Sequence, residues 1–144
     1  MVISIDRAQP FDLVKFLGEG WAIDEQDEQS LALSEVDFAN VRLENMLKKG
    51  EVWIKGEEKL ERLKKAGYIR LDAKVFQALW ENQPLILESW KKVIVYFDGT
   101  ILRGPGGDRY VLCLYWPGGQ WRWGVRWLGH DGGGCGPSAV LASV

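Results

Sequence analysis

The stretch VIVYFDGTIL, Val93 to Leu102, is where the reading of this chain turns, because it sets two apolar runs on either side of an Asp-Gly dipeptide. Asp-Gly in that setting is the strongest short hairpin signal. A type I′ turn needs positive φ at both central residues, which glycine adopts freely and aspartate tolerates. The stretch therefore predicts one strand over Val93 to Phe97, a turn at Asp98-Gly99, and a second strand over Thr100 to Arg103. Two more strand-like runs follow, Arg109 to Trp116 and Gln120 to Leu128, joined by Pro117-Gly118-Gly119. Together they predict a three- to four-stranded antiparallel meander over residues 92–128.

The same letters resemble the nucleophile motif of the haloacid-dehalogenase phosphatases, in which a strand ends in Asp-x-Asp-Gly-Thr. Asp98, Gly99 and Thr100 match it, and Tyr96 stands where the attacking aspartate would be. A phenol, neutral near pH 7, supplies neither the nucleophile nor the metal-binding charge. The match covers about five residues, and no helical crossover follows it. No phosphatase activity is expected.

Upstream, residues 10–90 carry mostly helical spacing. Pro10 to Leu17 with Gly18 after it predicts a first short helix, and the acidic run Glu19 to Glu28 is ambiguous. Leu31 to Leu33 reads as a brief strand. Ser34 to Lys49 reads as a helix with Val36, Ala39, Leu43, Met46 and Leu47 on one stripe and Gly50 closing it. A further helix is predicted over Glu57 to Ala66, with acids in its first turn, lysines in its last and Gly67 beyond it. Asp72 caps another, through Val75, Phe76, Leu79 and Trp80 to a stop before Pro84. A stub over Leu87 to Lys92 leads into the sheet. The expected fold class is α+β, a single domain with several short N-terminal helices packed on one face of the C-terminal meander, followed by a glycine-rich tail over 129–144.

The 144 residues are 47% hydrophobic and 26% charged with a formal net charge of −2, enough for a buried core and without the positive excess that drives nucleic-acid binding. The amino terminus shows neither a signal sequence nor a membrane span, which points to a cytoplasmic location. In such a setting Cys113, inside YVLCLYW, reads as a small buried hydrophobe, and a disulfide with Cys135 is the less expected state. His130, Asp131 and Cys135 match no familiar zinc spacing, and nothing orients His130 toward Cys135 for catalysis. No cofactor or metal is expected.

The densest functional signal is aromatic. In Gln120 to Leu128, Trp121, Trp123, Val125 and Trp127 alternate with Arg122, Gly124 and Arg126, so the tryptophans share one strand face and the arginines the other. Strict alternation favours a core role for Trp121, Trp123 and Trp127, leaving Trp116 beside the turn as the exposed stacking surface. Arg122 and Arg126, with Arg103 and Arg109, form a candidate basic face able to fork onto carboxylate or phosphate. The glycine runs at 104–107 and 132–136 lack the pattern of a phosphate-binding loop.

These features lean toward a small module that performs no chemistry and binds protein through its aromatic sheet face or sheet edge. Two alternatives stand beside it. Residues 57–80 offer a helix-turn-helix with Lys59, Arg62, Lys64, Lys65, Lys74, Gln77 and Asn82 for nucleic acid, which the overall charge disfavours. Carboxylates such as Asp98 with Asp108, or Glu25, Asp27 and Glu28, offer an enzyme site that no spacing selects. The run Gln120 to Leu128 has few lysines and no proline to discourage edge pairing, so either the tail from Ser138 covers it or a second copy pairs with it as a homodimer, the state slightly favoured.

Overall fold

The computed structural model describes residues 1–129 and 136–142. In chain order the elements are β1 (Val2–Ser4), α1 (Leu13–Leu17), β2 (Ala22–Gln26), α2 (Glu28–Leu31), β3 (Glu35–Asp37), β4 (Arg42–Glu44), α3 (Gly56–Ala66), β5 (Ile69–Arg70) and α4 (Ala73–Trp80). Two 3₁₀ turns, Gln83–Leu85 and Glu88–Lys92, lead to β6 (Val95–Arg103), β7 (Arg109–Tyr115), β8 (Arg122–Trp127) and β9 (Ser138–Leu141). Among the described residues, β1 pairs with β3, and the other seven strands form one mixed sheet. Its main order is β4-β9-β6-β7-β8, with β2 on the second half of β6 and β5 on β9.

This overturns the expectation of N-terminal helices on one face of a small antiparallel meander. The sheet has seven strands, and three of them, β2, β4 and β5, come from the supposedly helical half. Helices also cover both faces. Val75, Phe76 and Leu79 of α4 pack with Val95, Phe97, Leu112 and Leu114, while Leu60 of α3 packs with Tyr96, Val111, Cys113 and Leu128 on the other side.

The predicted helix over Ser34 to Lys49 is instead β3, a turn, β4 and a loop. Val36 is buried opposite Ile3 while Glu35 is exposed, and Asp37 folds the chain back by accepting a hydrogen bond from the Ala39 amide at 3.0 Å. Apolar residues three and four apart fit two short strands around a turn as well as one helix. Leu31, expected in a strand, closes α2, whose first turn is capped by the Asp27 carboxylate. The helices α3 and α4 lie where capping signals placed them, with Gly67 left-handed after α3 and Asp72 capping α4.

Asp98-Gly99 is not a turn. β6 runs through it, and the β6 to β7 connection lies at Gly104 to Asp108, where Gly107 takes φ 91°. Asp98 to Ile101 bulge out of the ladder opposite the single residue Val111, between the pairs Phe97 with Leu112 and Leu102 with Tyr110. Gly99 does not have positive φ. It is glycine because the chain crosses residues 70–72 there: a β-carbon would stand 2.5 Å from the Leu71 carbonyl carbon, 2.6 Å from the Asp72 nitrogen and closer still to the Arg70 oxygen. The Gly99 amide donates to the Leu71 carbonyl at 2.9 Å, and its own carbonyl accepts from Asp27 at 2.8 Å.

Buried polar groups secure this crossing. Asp98 accepts a hydrogen bond from Ser138 of β9 and lies 3.9 Å from the Lys59 ammonium, both side chains of the pair being fully buried. Lys59 also donates to the Gly136 carbonyl at 3.0 Å and sits 3.9 Å from the Tyr96 ring centre. β9 is thereby held between β4 and β6, with Ala139 and Val140 buried on both sides. The described carboxyl-terminal residues, 136–142, therefore do not pair with the Gln120 to Leu128 run. His130, Asp131, Gly132 to Gly134 and Cys135 lie outside the described residues, and with them the disulfide, zinc and Cys–His readings. No helix among the described residues is long and apolar enough to cross a membrane.

Two outcomes are expected. Gly99→Ala cannot be absorbed by side-chain movement, since the clash is with backbone, so it should abolish cooperative unfolding or cost at least about 3 kcal/mol in urea titration. The second concerns Asp72, which accepts two hydrogen bonds from Arg7 at 3.0 Å and one from Ser30 at 2.5 Å. Burial works to raise its carboxyl pKa, but the hydrogen bonds from Arg7 and Ser30 overcome it and hold the group below the usual carboxylate range. A carboxylate depressed in the folded state stabilises it above the unfolded value of about 4, and that contribution is lost as pH falls through the folded value. Arg7→Leu should therefore cost about 3 kcal/mol at neutral pH, and its deficit against the parent should narrow as pH falls below about 4, as read by urea midpoints across that range.

Candidate edge-strand binding site

β8 is the terminal strand of the sheet's main order and, among the described residues, pairs only with β7. The phase of that pairing follows from one bond. The Leu128 amide donates to the Arg109 carbonyl at 2.9 Å, which makes these opposed residues a hydrogen-bonded pair. In an antiparallel ladder such pairs alternate, so Arg126, Gly124 and Arg122 bond toward β7 through their partners Val111, Cys113 and Tyr115. The backbone N–H and C=O groups of Trp123 and Val125 consequently point outward, away from the sheet.

The side chains alternate in the other sense. Trp123 and Val125 pack toward the α4 core, with the Trp123 ring edge-on to Phe16 at 5.4 Å and Phe76 at 6.2 Å between centroids. A cleft of about 510 Å³ opens where the start of β8 meets the end of α4, lined by Trp80, Gln83, Tyr115, Gln120, Trp121, Arg122 and Trp123. A smaller one of about 200 Å³ adjoins it between Phe16, Trp80, Glu81, Trp123 and Lys15. Trp80 and Trp123 line both. Half-buried aromatic walls with amide and guanidinium groups at the rim accept a flat or branched apolar side chain and fix its orientation.

The five residues singled out from sequence fall into three settings. Arg103 and Arg109 flank the hairpin turn between β6 and β7, tied into acids of β2 and α3. Arg103 donates to Asp24 at 2.8 and 3.0 Å, and Arg109 lies 3.5 to 3.6 Å from Glu57, Asp24 and Glu25. A hydrogen bond from Lys64 holds the Glu25 carboxyl below its usual range. Trp116 is half-buried, edge-on to Trp121 at 5.2 Å with the Lys91 ammonium 4.1 Å from its ring centre, so it is not the open stacking face expected of it. Arg122 and Arg126 are exposed on β8. Arg126 lies against Cys113, whose thiol is pushed up by burial.

The tryptophan expectation divides likewise. Trp121 is 7% exposed and belongs to the core, Trp123 is half-buried, and Trp127, the last residue of the strand, is 44% exposed. Trp80 and Gln83 complete the cleft, and sequence reasoning did not select them for it. Trp80 carries the helical spacing of a core residue, and only the packing of α4 beside β8 turns it toward a groove.

Several residues of the alternative readings are tied into the fold. α3 and α4 are separated by β5 and belong to different cores, Lys59 is buried, Arg62 is bound to Glu51 and Glu58, and Lys64 is bound to Glu25. Asp98 is buried and Asp108 exposed at the hairpin turn, while Asp27 caps α2 and binds Arg70. Among the described residues no group of three metal-ligating side chains converges. No family model, curated protein or solved structure matches the chain.

Trp123 and Trp127 should separate in stability. Trp123→Ala removes a ring packed on Phe16 and Phe76 and is expected to cost about 3 kcal/mol, whereas Trp127→Ala should cost less than about 1 kcal/mol. Thermal melts of the two variants measure the difference.

Proposed function

We propose that this protein is a non-catalytic binding module that receives an extended segment of another protein along the outer edge of β8. The observation that carries the proposal is the outward phase of Trp123 and Val125, whose backbone groups meet a sheet edge next to the Trp80 and Trp123 cleft. Strand addition supplies affinity through main-chain hydrogen bonds and selectivity through pockets for alternate side chains. Four such bonds at a net of about 1 kcal/mol each, with about 2 to 3 kcal/mol from one apolar side chain in the cleft, are opposed by the cost of ordering the segment. The balance gives a weak, reversible contact.

Proline at position 125 tests it. Val125→Pro removes an outward N–H and leaves the bonds to β7 in place, a substitution that edge strands tolerate. Peptides enriched from a random display library on the parent protein should slow amide exchange at Trp123 and Val125 and should not bind Val125→Pro. Enriched peptides that bind the proline variant equally and leave those amides unprotected would refute the proposal. A melt of the variant within a few degrees of the parent shows that any loss is local.

A further inference from the structure

Resting on the reading of β8 as a docking edge, we infer that the strand it accepts is acidic on one face and apolar on the other, with carboxylates four residues apart. The chain's arginines carry the argument. Arg7, Arg42, Arg62, Arg70, Arg103 and Arg109 each lie within 4 Å of a carboxylate, on Asp72, Glu44, Glu51, Asp27 and Asp24. Arg122 and Arg126 have no carboxylate partner among the described residues, and both are exposed. They stand on the same strand face, separated by Gly124, about 13 Å apart at strand rise.

A strand laid against the outer side of β8 sets its residues opposite Arg122, Trp123, Gly124, Val125 and Arg126 in turn. Directly opposed side chains on one face of a sheet interact most strongly, and opposite charges there stabilise while like charges repel. The positions facing Arg122 and Arg126 therefore select Asp or Glu. The positions between them that share a face with Trp123 and Val125 select apolar groups, one of which reaches the Trp80 cleft. The position over Gly124 has no side chain beneath it and tolerates most residues. The pattern acid, apolar, any, apolar, acid reads the same in both directions, so it does not depend on whether the partner runs parallel or antiparallel.

The same charges argue against a second copy. Pairing β8 with itself around Gly124 opposes Arg122 of each copy to Arg126 of the other, and centring the two-fold on Val125 still collects four guanidinium groups on one face. An acidic partner neutralises that face; a copy of this chain doubles its charge.

The test uses the full chain and three capped peptides that share one framework, with Glu-Ile-Thr-Val-Glu, Gln-Ile-Thr-Val-Gln or Lys-Ile-Thr-Val-Lys at the centre. Titration followed by amide exchange at Trp123 and Val125 should show the Glu peptide binding about tenfold tighter than the Gln peptide at low salt, and the Lys peptide weakest. The advantage should fade toward 1 M salt, and the double variant Arg122→Glu, Arg126→Glu should reverse the order. Equal binding of the three peptides, lost on Val125→Pro, overturns the acidic specificity and leaves the strand-addition reading standing. Binding of the Glu peptide that survives Val125→Pro, or failure of every peptide to protect those amides, overturns both. A dimer in light scattering that Val125→Pro dissolves assigns the edge to a second copy and likewise refutes the acidic partner.

Discussion

The structure hangs on the crossing of β6 over the segment Arg70 to Asp72. Gly99 brings two backbones into contact there, and hydrogen bonds run from Gly99 to Leu71, from Asp27 to Gly99 and from the Arg70 guanidinium to the Asp98 carbonyl at 2.9 Å. Residues from β2, β5, β6 and β9 and from α3 meet within this one region. Burying Lys59 and Asp98 is costly, and contacts with Ser138, Gly136, Tyr96 and each other offset part of that cost, while Asp98 Oδ2 is buried without a hydrogen-bond partner. Such an arrangement specifies one register, since a shift of β9 by one residue would leave a buried charge without its partner.

From the crossing follows the shape of the sheet. The bulge at Asp98 to Ile101 divides β6 into a first half flanked by β9 and β7 and a second half flanked by β2 and β7. One long strand thus organises a mixed sheet from short pieces that have little stability alone. With β9 drawn into the middle, nothing from the described carboxyl-terminal residues reaches β8. Acids of β2 bind Arg103 and Arg109, whereas Arg122 and Arg126 on β8 have no carboxylate partner among the described residues. Edge exposure and unmatched positive charge coincide on one strand, and the binding proposal depends on that coincidence.

Local signals were legible where a few neighbouring residues decide the outcome. α3 and α4 follow from acids, lysines, Gly67 and Asp72 within a turn or two of each end, and the alternation in β8 follows from the pleat. The ladder from Arg109 to Trp127 was legible for the same reason, because its connection is short and its glycines, Gly118 and Gly119, adopt the positive φ the turn requires. Strands of two to five residues such as β5, β4 and β2 were not, because their partners are 70 or more residues away in sequence, and no local pattern in Ile69-Arg70 distinguishes a strand from a linker.

For the candidate site, sequence alone determined which residues share a face of β8, since side-chain period in a strand is set by backbone geometry. It also determined that Cys113 is buried in an apolar strand. Tertiary structure alone decided that Asp98-Gly99 is a crossing and not a turn, that Trp80 walls a cleft, and that Arg122 and Arg126 stand apart from the acids that claim the other arginines. The reason is physical: φ/ψ preference and side-chain period act over a few residues, whereas burial, charge pairing and strand order depend on groups brought together from distant parts of the chain.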